Sequence, residues 1–226
     1  MVSKAVDFMK EKHIFYLIAG FFFSIFSIGR FNIAISVFIW PFCFLSYLHK
    51  SESKILPSVI VSVCLFVSHL LRWINVLNAG FILNLIWSSY FSIINIIPFI
   101  IDNIFYGKVD KWKSVFIYPL TEAFIEFVFC FFPVANSNLL CYALREHIEF
   151  IQIISCFGCY FLSFIIALFS TILEYSIDLY RNENKISKFI FSYAAIILVI
   201  YFFGLIRMLI PLEVETINVA SSIGVS

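Results

Sequence analysis

The chain has 226 residues, 62% of them hydrophobic and only 13% charged, with a formal net charge of +1. A soluble domain has about 45–50% apolar and about 25% charged residues, and the mean hydropathy here is +1.02. That balance excludes an ordinary water-soluble globule, and the near-zero charge, the sum of a basic face and scattered acids, does not suggest nucleic-acid binding. Thirty phenylalanines beside many Ile, Asn and Lys point to AT-rich coding more than to function.

A bilayer crossing takes about 20 apolar residues, so seven crossings would use roughly 140. The expected fold is an all-α polytopic membrane protein: a polar arm over 1–13, seven helices over 14–208, and the start of an extracytoplasmic domain over 209–226. The first span, about Ile14–Gly29, runs into Arg30 and a second span without a cleavage site, so it is read as a retained helix. Span two, about Phe31–Tyr47, follows a tight turn at Gly29-Arg30. Pro57 sits in the first turn of span three, about Ile55–Leu71, where its missing N–H costs nothing. Span four lies within Ile74–Phe105 as one helix with a kink expected at Pro98, and Asp102 reads as a boundary residue. Span five is about Ser114–Phe132. The polar stretch Pro133–Glu149 is expected outside or at the interface, as a solvated amphipathic segment. Span six runs about Phe150–Leu173, Arg181–Lys185 forms a loop, and span seven is about Phe189–Ile206. Beyond Pro211 the chain turns β-prone and then small and polar.

The basic residues order these spans. Lys4, Lys10, Lys12, Lys50, Lys54, Lys108, Lys111, Lys113, Arg181, Lys185 and Lys188 fall on one side, eleven in all; only Arg30, Arg72, Arg145 and Arg207 fall on the other. Cytoplasmic loops hold the Lys/Arg excess, which predicts a cytoplasmic N-terminus and an extracytoplasmic C-terminus.

Glu122 and Glu126 stand four apart on one face of span five. Acids inside a bilayer are costly and are kept for proton relay, for substrate contact, or for pairing with neighbouring helices. In Arg145-Glu146-His147-Ile148-Glu149 only one histidine is present, short of the two that a zincin helix needs, and His13, His49 and His69 complete no ligand set in sequence. Cys156-Phe157-Gly158-Cys159 has redox spacing, but it lies in an apolar run without a basic neighbour to lower a thiol pKa. No phosphate loop, serine nucleophile elbow or paired-glutamate membrane-protease motif occurs. No cofactor and no metal site is expected.

Three stretches together resemble apolipoprotein N-acyltransferases. Gly20 through Ser27-Ile28-Gly29 to Ile39-Trp40-Pro41-Phe42 is similar to that family's opening hairpin. The middle resembles it through Glu122 after Pro119, Phe132-Pro133, Tyr142-Ala143, Ile151-Gln152, Ser155-Cys156-Phe157-Gly158 and Ser163-Phe164. Tyr201–Arg207 followed by Ile217-Asn218-Val219-Ala220 resembles the passage from the seventh helix into the nitrilase-like domain. Phe161 stands where the family has a second glycine, which puts close helix packing there in question.

The resemblance implies a bacterial cytoplasmic-membrane protein in lipoprotein maturation. The family moves an acyl chain from a phospholipid to a lipoprotein's amino-terminal cysteine, using a Glu–Lys–Cys triad in the nitrilase-like domain. The chain ends at Ser226, about where that domain would begin, so no catalytic residue carries over and the chain is expected to be inactive alone. Implied partners are membrane lipids, a lipoprotein substrate and a separately encoded catalytic domain. Trp40, Pro41, Glu122, Glu126, Pro133, His147, Glu149 and Gly158 are the candidate lipid-facing, substrate-facing or structural residues. The alternatives are a small transporter or channel using Glu122 and Glu126, and a membrane thiol oxidoreductase using Cys156 and Cys159.

Overall fold

The computed structural model describes residues 2–29, 31–73, 80–132 and 138–210, with side chains from residue 13 onward. The described elements are all helical, with no strand among the described residues. They are α1 (Val2–Ile25), α2 (Ser36–His49), α3 (Ile55–Trp73), α4 (Gly80–Phe105), α5 (Lys111–Ser114), α6 (Ile117–Phe129), a 3-10 turn (Leu140–Leu144), α7 (Ile148–Ile151), α8 (Ile154–Phe157), α9 (Cys159–Glu183) and α10 (Lys188–Leu209). Pro133 and the β-prone stretch after Pro211 lie outside the described residues.

Four helices, α3, α4, α9 and α10, are long and apolar enough to cross a membrane. At about 1.5 Å per residue, α2 with its 14 residues and α6 with 13 reach roughly 20 Å, short of a 30 Å hydrocarbon core. The polarity pattern is that of a membrane protein. Phe15, Ile55, Ile82, Phe131, Phe191 and Val199 face outward, while Ser24, Ser46, Ser68, Ser88, Ser92 and Ser170 are buried between helices. Small polar residues let helices approach closely where apolar burial between them provides little drive.

Six helices close a ring. α1 packs on α2, α2 on α9, α9 on α6, α6 on α4, α4 on α3, and α3 back on α1; α10 lies outside it, against α7 and α9. Trp40, Phe44, Phe99 and Tyr118 are buried where α2, α4 and α6 meet, with Phe99 5.7 Å from Trp40 and 4.7 Å from Tyr118, centroid to centroid. Gly20 permits the α1–α2 approach, since a Cβ there would lie 2.6 Å from the Phe44 ring.

The direction of each helix follows from its end contacts. At the lysine-rich end, Ser51 bonds His13 at 2.9 Å, and Lys54 Nζ donates to the Asn103 carbonyl at 2.6 Å. At the opposite end Asn32 Nδ2 donates to the Ala143 carbonyl at 3.0 Å.

Several boundaries differ from the sequence reading: α2 starts at Ser36 rather than Phe31, and α6 covers Ile117–Phe129 rather than Ser114–Phe132. Span six does not run through from Phe150 to Leu173. It breaks at Gly158, whose φ of 80° only glycine adopts without strain, and α9 then continues ten residues past Leu173. Pro98 sits inside an uninterrupted α4. The stretch expected to be solvated is divided: Arg145 and Glu146 are exposed, but Leu140, Cys141, Ala143 and Leu144 are buried.

Candidate functional sites at the two ends of the bundle

α10 buries only Tyr193, Ile200 and Gly204, because it meets the ring along a narrow line. Gly204 is that line: a Cβ there would overlap the Glu149 backbone of α7. Away from this contact α10 stands off from α9 and leaves an apolar groove of about 560 Å³. Ala34, Phe38, Ile165, Phe169 and Ile197 line it, and Leu144, His147 and Phe150 border it at the end away from the lysines. Tyr193 contributes little polarity, since its hydroxyl donates to the Ile165 carbonyl at 3.1 Å. From Leu162 to Leu173 the groove follows α9 for about 16 Å, half the thickness of a hydrocarbon core.

The lysine-rich end holds a second, polar site. The ends of α2 and α4 and the second half of α9 bring His49, Asp102 and Glu174 together. His49 Nε2 lies 2.7 Å from Asp102 Oδ2, and Nδ1 lies 3.0 Å from both oxygens of Glu174. With a carboxylate at each ring nitrogen, the ring can donate on both sides only as the imidazolium. Tyr106 stacks on the ring at 3.5 Å and 8°, a cation–π geometry. Burial first, then Glu174, Asp178 and Asp102, push the Tyr106 phenol up, so it stays a neutral donor. The cavity beside these groups is about 240 Å³ and is also lined by Lys111, Ser114, Val115 and Asp178.

Asp102 is therefore not a boundary residue. It is 2% exposed and bonded to His49. Sequence reading passed over this cluster because His49 lies 53 residues from Asp102 and 125 from Glu174. One signal was present: all three fall at the lysine-rich ends of apolar runs.

Glu122 and Glu126 share one buried face of α6, 3% and 7% exposed. Their surroundings differ. Glu126 Oε1 accepts the Leu140 N–H at 2.7 Å, and the Cys141 N–H donates to Ser163 Oγ at 3.2 Å, which ties the 3-10 turn to α6 and α9. Glu122 Oε2, Glu126 Oε2 and the Tyr118 hydroxyl have no hydrogen-bond partner among the described residues. Neither carboxylate lines the groove or the polar cavity.

The other sequence candidates divide between core and rim. Trp40 and Pro41 are buried in α2. His147 lies at the groove with Glu149 3.6 Å away. Gly158 sets the break before α9, and Phe161 packs on Phe157 at 4.8 Å. All six cysteines are free, Cys156 exposed and Cys159 half-buried. Burial and then Glu126 push the Cys141 thiol up to about 12, which makes it a packing residue. Among the described residues no group of three or more His, Cys, Asp or Glu could hold a metal ion. Comparisons with protein-family models, with curated proteins and with solved structures gave no match.

Proposed function

We propose that the chain is the seven-crossing membrane domain of an apolipoprotein N-acyltransferase-like protein, and that its groove holds an acyl chain of the phospholipid donor. The observation carrying this reading is the groove itself. It is apolar, lies between α2, α9 and α10, and is bordered by residues 144–150 at the end away from the lysines. Its volume is in the range of small-molecule sites, roughly 300–1,000 Å³, and its length suits one leaflet. The eleven-to-four split of basic residues favours a cytoplasmic N-terminus, which makes this the extracytoplasmic end. The resembled family places acyl transfer in its nitrilase-like domain, and on this reading the helices supply the lipid site.

The test is photo-crosslinking with a phospholipid carrying a diazirine near the end of its acyl chain. Adducts are expected on α9 and α10 at Ile165, Phe169 and Ile197. Ala34→Trp, which fills the groove, should remove at least nine-tenths of them. Adducts spread evenly over the outward-facing residues, or unchanged in Ala34→Trp, would reject the reading.

A further inference from the structure

The unpartnered atoms on α6 form a series that starts at the polar cavity. Ser114 and Val115 line that cavity, Tyr118 is one turn beyond, Glu122 one turn further, and Glu126 one turn beyond that. On α4, Phe99 touches Tyr118 at 4.7 Å between centroids, and Asp102 lies one turn nearer the cavity. Tyr118 is fully buried and Glu122 nearly so, and neither the hydroxyl nor Glu122 Oε2 is bonded among the described residues. Buried polar groups in proteins are satisfied by protein atoms or by ordered water. A carboxylate without a cation in an apolar interior takes up a proton instead. Water reaches the start of the series easily, since one molecule needs roughly 10–15 Å³ and the cavity offers about 240 Å³. At the other end the 3-10 turn packs on α9, tied to α6 through Glu126 and held by Asn32 from the opposite side.

We propose that the bundle carries a proton path from the cavity at His49 along α6 to Glu122, closed at its far end by the 3-10 turn that Glu126 and Asn32 hold. Asp102 takes a proton from cavity water while His49 keeps one N–H toward Asp102 and the other toward Glu174, so the ring is unchanged. From Asp102 the proton passes through bridging water to the Tyr118 oxygen as the hydroxyl proton leaves for one Glu122 oxygen and the proton on its other oxygen leaves for water beyond, once the turn is freed. Only protons move, and no redox step is involved. Lys111, Asp178 and Glu183 also face the cavity and set the field at its mouth. The inference does not depend on what occupies the groove.

The test uses the full chain in liposomes, with a potassium–valinomycin potential and an internal pH dye. Glu126→Ala, which frees the turn, is expected to raise proton flux at least ten-fold over the parent protein. Asn32→Ala, which frees it from the opposite side without touching α6, should do the same. Adding Tyr118→Phe or Glu122→Gln to either variant should return the flux to the parent level. Size-exclusion profiles and helical circular dichroism establish that each variant is folded. Two results overturn the proposal: no increase in either folded release variant, or an increase that Tyr118→Phe and Glu122→Gln leave intact, which is a plain leak.

Discussion

Removing the imidazole of His49 strips the cation that bridges two carboxylates, which are 2% and 7% exposed. Breaking a buried ion pair by deleting one partner costs about 3–5 kcal/mol, because the remaining charge stays desolvated. Here two carboxylates remain. Separated by roughly 7 Å, they repel by about 2 kcal/mol at an effective dielectric constant of 20. Proton uptake relieves part of this, so about 3–5 kcal/mol is the expected loss for His49→Ala. For a chain of this length each kcal/mol moves Tm by about 2–4 °C, giving a drop of about 6–20 °C. The assay is thermal unfolding in mild detergent, read by intrinsic fluorescence and by loss of the monodisperse peak. The sharper measurement is the triple variant H49A/D102N/E174Q, which also lacks the ring but removes both charges. It should recover most of the loss, because neutral amides are far cheaper to bury than ions. Melting of His49→Ala within about 2 °C of the parent, or a triple variant no better than the single, would refute the argument.

Three further outcomes follow from other contacts. Gly204→Val should force α10 away from α7 at a cost of about 1–3 kcal/mol, and proteolysis between α9 and α10 should accelerate with it. Glu126→Ala leaves the buried Leu140 N–H without its acceptor, a loss of about 1–3 kcal/mol. Amide exchange in the 3-10 turn should speed up while α3 and α4 are unaffected. With the N-terminus cytoplasmic, a membrane-impermeant maleimide applied to intact cells should label Cys156 and leave the buried Cys141 unmodified. Labelling of Cys156 only after the cells are opened would reverse the topology.

Sequence periodicity and hydropathy reach some features and miss others for definite reasons. The shared face of Glu122 and Glu126 is legible because their spacing of four is one helical turn. Four long apolar helices are legible because hydropathy integrates over the same length that a bilayer requires. The break at Gly158 is hidden, since residues on both sides of it are apolar and only a backbone angle distinguishes it. The extension of α9 beyond Leu173 is hidden by Glu174 and Asp178, which read as loop residues by polarity. In the fold they face a cavity inside the bundle instead. His49 and its two acids belong to three separate runs, and no local window spans them. The groove is equally invisible, because it results from α10 failing to pack along its length rather than from any motif.

The ring of helices also sets an order of assembly. α9 closes it by packing on both α2 and α6, and the helices it joins are all synthesised before it. Until α9 emerges, the nascent bundle is an open crescent with the inner faces of α2 and α6 bare. During that interval His49 has Asp102 but lacks Glu174, which sits in the second half of α9. The last charge of the cluster thus arrives with the helix that shuts the crescent, and it acts as a latch fastened late in synthesis. A ribosome stalled before residue 174 would leave a chain that inserts but does not lock, and membrane quality-control proteases would have that interval in which to remove it.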